Sequence, residues 1–177
     1  MAKKADPPVF TNSTLELIRQ ISDRALELNN PNFEDWMDEV RGYLSVGSYL
    51  GPTINFEKPK SIRHAQKALA RMESHLDRIL VLQHDAKRVL QIISSVETQL
   101  LGKLVRDGAL PAKATGPAQQ QMLAASVPRL ARVKTSWETL EQICLQAQQR
   151  IASAKKAMEL QARLDDNLRW AQYRNPG

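Results

Sequence analysis

A chain of 177 residues suffices for one domain, or one domain with an appendage, and its 5% aromatic content disfavours a compact mixed core and favours long helices. The single cysteine, Cys144, excludes an internal disulfide and fits a reducing cytosol or a virus assembled there, while no apolar run approaches the ~20 residues of a membrane span. The net charge of +6 is unevenly spread: residues 1–60 hold seven Lys/Arg against nine Asp/Glu, and residues 61–177 hold eighteen against ten, an acidic head on a basic body that favours anionic partners.

Residues 1–11 read as a flexible arm with Lys3 and Lys4 near its start, and that start lacks the apolar stretch of a signal peptide. Residues 12–60 read as an acidic pair of short helices with a linker. Ser13-Thr14-Leu15-Glu16 matches a capping box, and the helix it opens carries Leu17, Ile18, Ile21, Ala25 and Leu28 on one face. Asn29-Asn30-Pro31 stops it. A second helix follows, capped by Asn30 with Pro31 at its first position, or by Asn32. Phe33, Trp36, Met37, Val40 and Leu44 form its apolar face, with Glu34, Asp35, Asp38 and Glu39 opposite. Those four carboxylates have no histidine or loop beside them, so no metal is expected there. Ser45–Lys60 reads as a linker that pins Tyr49, Leu50, Ile54 and Phe56 onto the helices.

Residues 61–177 read as a basic hairpin of two long helices. Ser61 caps the first, which contains neither Gly nor Pro up to Leu101 and runs on to about Arg106. Its apolar series is Ile62, Ala65, Leu69, Met72, Leu76, Ile79, Ala86, Leu90, Ile93, Leu100 and Leu104, with Gln83 and Glu97 as the two polar exceptions. The spacing alternates three and four, a period nearer 3.5 than 3.6. A mobile connector is expected over residues 107–127, with Gln119–Ala125 forming one or two turns. The second long helix starts at Ser126-Val127-Pro128 and carries Leu130, Val133, Trp137, Leu140, Cys144, Ala147, Ile151, Ala154 and Met158. After Met158 the apolar line shifts to Leu160, Leu164 and Leu168. The predicted fold is all-α: a long, coiled-coil-like antiparallel hairpin with two short N-terminal helices. Leu80, Leu82, Val89 and Val96 form a further stripe on the first long helix, which predicts self-association.

No phosphate loop, metal-ligand pair or nucleophile motif is visible, so neither catalysis nor a cofactor is expected. His64, His75 and His84 read as surface residues, and Cys144 as a buried thiol on a core slot. The positive signal is cationic. Lys60, Arg63, Lys67, Arg71 and Arg78 follow one outward stripe, with Lys87 and Arg88 further along and Lys155, Lys156 and Arg169 on the second helix. Such a row can match phosphates and gain from counterion release, or be a solvated face. Arg169-Trp170-Ala171-Gln172-Tyr173-Arg174 interleaves cations with aromatics, which suits stacking on unpaired bases or packing of a last helical turn.

The series Trp137, Leu140, Cys144, Ala147, Ile151, with Arg169-Trp170 towards the end of the same helix, resembles the final long helix of the UvsY-type recombination mediators of phages. The likeness covers about a quarter of the chain; the acidic helical pair and the Pro/Gly connector depart from that family's pattern. The resemblance implies a non-enzymatic, ring-like cytoplasmic oligomer that binds single-stranded DNA and helps load a recombinase onto it, in company with a single-strand-binding protein. The alternative is a structural assembly subunit of a virion, scaffold or secretion complex with no nucleic-acid role.

Overall fold

A computed structural model describes residues 10–30, 32–46 and 58–174, and their side chains except those of 45, 46, 59 and 168–174. The described residues form six helices and no strand: α1 (Asn12–Leu28), α2 (Phe33–Val46), α3 (Pro59–Ser74), α4 (Leu76–Arg106), α5 (Gly116–Ser126) and α6 (Pro128–Arg174). None of them is long and apolar enough to cross a membrane. The expected contacts of Tyr49, Leu50, Ile54 and Phe56 lie outside the described residues.

The chain divides into two compact units, each taking one short N-terminal helix and a part of α6. The first unit comprises Met1–Phe33 and Asp85–Thr139, so it contains α1, most of α4, α5 and the start of α6. Its core is Ile21 and Ala25 of α1, Ala86, Ile93, Leu100 and Leu104 of α4, and Leu130, Val133 and Trp137 of α6. Those α4 and α6 residues are the ones the heptad spacing singled out. α1 is fixed at both ends. Its N-cap is Thr11, whose hydroxyl accepts from the Thr14 N–H at 3.3 Å, two residues before the expected capping box. The carboxylate in this cap is Asp107 rather than Glu16. It accepts from the Thr11 hydroxyl at 2.6 Å and from the fully buried Thr14 hydroxyl, with Lys103 at 3.0 Å. At the other end, the Trp137 indole N–H donates to the Leu28 carbonyl at 3.1 Å and so satisfies one of the acceptors a helix terminus leaves open. Phe33 meets the same indole edge-on, with ring centroids 5.6 Å apart.

The connector is folded. Gly108, at φ 72°, takes the left-handed conformation that ends α4, and the Leu110 N–H reaches back to the Leu104 carbonyl at 3.1 Å. Leu110, Leu123 and Val127 are buried, and Thr115 and Pro117 open α5, which is longer than the one or two turns expected.

The second unit comprises Glu34–His84 and Leu140–Gly177. Met37 and Val40 of α2 join Ala65, Ala68, Met72, Ile79 and Leu82 with Leu140, Cys144, Ala147, Ile151 and Ala154 in its core. Contacts between the long elements run antiparallel here: Glu73 meets Lys155 at 2.6 Å, while Gln83, further on, meets Gln148, which precedes Lys155. Arg150 donates to the Leu44 carbonyl at 3.0 Å, near the end of α2.

Three expectations are corrected here. The first long helix starts at Pro59 rather than after a Ser61 cap: proline suits a first helical position, and the Ser61 N–H already bonds to the Lys58 carbonyl at 2.9 Å. Nor is it continuous. His75, at φ −105° and ψ 1°, interrupts it, its N–H turning to the Met72 carbonyl at 3.1 Å. The interruption coincides with a stack of the His75 ring on Tyr43 of α2, 4.2 Å apart and 13° from parallel. The heptad series crosses the interruption in phase, from Met72 to Ile79. Finally, Leu82 is 1% exposed and part of the core, so it has no surface to offer a second chain. Leu80 is 44% exposed and Val89 and Val96 are half-buried.

Candidate nucleic-acid interface

An α-helix advances 100° per residue, so Lys60, Arg63, Lys67 and Arg71 line up on α3 about a third of a turn from Ala65, Ala68 and Met72. All four cations are exposed, and none forms an ion pair with a described carboxylate. Placed on a helix anchored by its opposite side, they present a row of charge that a phosphate chain could follow.

The remaining candidates divide. Arg78 continues the stripe past His75, but its guanidinium lies 3.4 Å from Glu39 and 5.9 Å from the centre of the Trp36 ring, which ties α4 to α2. Glu39 also accepts from the Tyr43 hydroxyl at 2.6 Å. That bond first, with Arg78 behind it, holds the carboxyl below its usual range, while burial and the same bond push the Tyr43 hydroxyl up to about 12. Lys155 is bound to Glu73, whereas Lys156 is exposed. Lys87 and Arg88 are exposed on the part of α4 that belongs to the first unit. The Arg169 side chain lies outside the described residues, as do those of Trp170 and Tyr173.

Cys144 is fully buried, and burial raises its thiol to about 11, which keeps it protonated. Among the described residues, no group of three or more His, Cys, Asp or Glu could hold a metal ion. His75 is not a free surface ring, because it is half-buried against Tyr43.

Sequence reasoning missed the partners of the two seam exceptions. Gln83, 7% exposed, accepts from the Gln148 amide at 2.7 Å. Glu97 takes both its bonds from Lys134, at 2.8 and 3.0 Å. The signal was present: Gln83 and Glu97 are two heptads apart on α4, and so are Lys134 and Gln148 on α6. No protein-family model matches this chain, and no curated protein or solved structure matches it either.

Proposed function

We propose that this protein is a non-enzymatic, oligomeric DNA-binding adaptor of the cytoplasm, in its most concrete version a recombination mediator of the UvsY type that binds single-stranded DNA and helps load a recombinase. The observation that carries the reading is the row Lys60, Arg63, Lys67 and Arg71, exposed and without described carboxylate partners. The long elements form an antiparallel hairpin in this reading. Self-association would repeat the cationic row and add avidity.

A salt titration of single-stranded DNA binding tests the reading. The log–log slope should be about −0.7 per phosphate neutralised, and Arg63→Ala with Lys67→Ala and Arg71→Ala should flatten it by about two units. Unchanged slope and affinity in the triple variant would reduce the row to a solvated face.

A second reading, a structural assembly subunit, is favoured by exposed apolar side chains: Leu80 at 44%, Val81 at 52%, Leu160 at 51% and Leu164 at 57%. It takes over if the unaltered protein binds no nucleic acid at low salt while light scattering gives a mass well above 20.0 kDa.

A further inference from the structure

The row on α3 is defined by the charge it carries. A second surface of the same unit is defined by the charge it lacks. Beyond Leu140, α6 exposes Gln142, Gln146, Gln149, Ser153, Lys156 and, past Leu160, Arg163. Successive members are alternately four and three residues apart, so they form one straight line, half a turn round the helix from the seam residues Cys144, Ala147 and Ile151. The line contains no carboxylate, although the chain has 19 Asp and Glu. Beyond Leu140, Glu141, Glu159, Asp165 and Asp166 all fall off it; Glu138, exposed one turn before Gln142 on the same side of the helix, belongs to the first unit. Two other solvated faces mix signs: α1 pairs Arg24 with Glu27, and α2 pairs Arg41 with Asp38. On the α6 line every polar side chain can donate a hydrogen bond, and every formal charge is positive.

Carboxamides, hydroxyls, lysine and arginine are the side chains that contact sugar and phosphate oxygens, and they do so without reading sequence. A carboxylate among them would repel the strand. We propose that this face of α6 is a binding track for the sugar–phosphate backbone of single-stranded nucleic acid. The proposal rests on the nucleic-acid reading above and assigns it a surface that cationic spacing did not reveal. The amides fix the strand by hydrogen bonds, and Lys156 and Arg163 supply the salt-dependent part.

The test is fluorescence anisotropy with a fluorescein-labelled single-stranded oligothymidylate, with circular dichroism melting of each variant. Gln142→Glu with Gln149→Glu and Ser153→Glu should weaken binding about tenfold or more at low salt while leaving the melt in place, because all three side chains are exposed. Gln146→Lys with Gln149→Lys should tighten binding and steepen its salt slope, a gain that a misfolded variant cannot imitate. If the unaltered protein binds and neither variant changes its affinity, the α6 track is overturned and the α3 row stands. If the glutamate variant changes the mass measured by light scattering but not the affinity, the line is a contact between copies of the chain and the track is again overturned. If the unaltered protein does not bind at all, both the track and the reading beneath it fall.

Discussion

Gln83 and Glu97 occupy the same kind of slot on α4, one in each unit, and each is met by a side chain of α6. The outcomes differ in a way that follows from their surroundings. In the second unit the pair is two neutral amides, with Gln83 only 7% exposed among Ile79, Leu82 and Ala147. In the first unit the pair is ionic and wetter: the Glu97 and Lys134 side chains keep 18% and 32% of their exposure and line an open cleft of about 250 Å³ with Leu100, Leu123 and Leu130. A carboxylate needs either water or a counter-charge, and here it has the counter-charge at the edge of an open cleft; an amide needs only a second amide. A polar residue on a heptad seam lowers stability relative to leucine but fixes the register, because any slip leaves it unpaired. Each unit therefore carries one polar contact between α4 and α6, ionic in the first and amide to amide in the second.

The sharpest way to break this comparison is to remove one amide. Gln148→Leu leaves the Gln83 carboxamide buried without its partner and should cost about 1–3 kcal/mol in denaturant unfolding. Gln83→Leu combined with Gln148→Leu should recover most of that loss, since both partners of the bond are then apolar. A double variant as unstable as the single one would show that the site selects the amides for packing instead.

Lys134→Met should cost less, within about 1 kcal/mol, because Glu97 can draw water from the cleft. Its cost should shrink further in high salt, whereas the cost of Gln148→Leu should not change with salt. Equal salt dependence of the two would remove the distinction between the units.

The most pH-dependent effect belongs to Asp107. Hydrogen bonds from Thr11, Thr14 and Lys103 hold its carboxyl down at about 2, against an ordinary value of 3.8. A folded-state value below the unfolded one means that the stabilisation is complete above about pH 4 and is lost as pH falls towards 2. Asp107→Asn should flatten the stability curve across that window, and amide exchange should show α1 loosening before the second unit does. An unaltered acid limb in the variant would mean that the cap does not depend on the charge.

Much of the seam was legible because its period is local. Ala65, Met72, Ile79, Ala86, Ile93, Leu100 and Leu104, and every slot from Leu130 to Ala154, are buried where spacing put them. What escaped depends on residues far apart in the chain. The cap of α1 moved from Ser13 to Thr11 because its carboxylate, Asp107, lies 93 positions beyond Thr14. The interruption at His75 has neither glycine nor proline to announce it, and its companion is Tyr43 on another helix. Leu82 looked like part of an outer stripe because it sits next to the seam slot of Gln83, and both are buried. On the candidate site, exposure of Lys60, Arg63, Lys67 and Arg71 could be read from the sequence. The engagement of Arg78 by Glu39 and Trp36 could not, since it needs α2 in place.

The lone thiol adds something of a different kind. Cys144 has no exposed surface, sits midway along the second unit's stretch of seam and stays protonated at neutral pH. A thiol-reactive dye can label it only during an opening of that seam, so its labelling rate is a clock for the breathing of one unit and is silent about the other. The chain thus contains its own single-site reporter, and loading it with DNA or raising its concentration should slow that clock wherever binding or assembly clamps the seam shut.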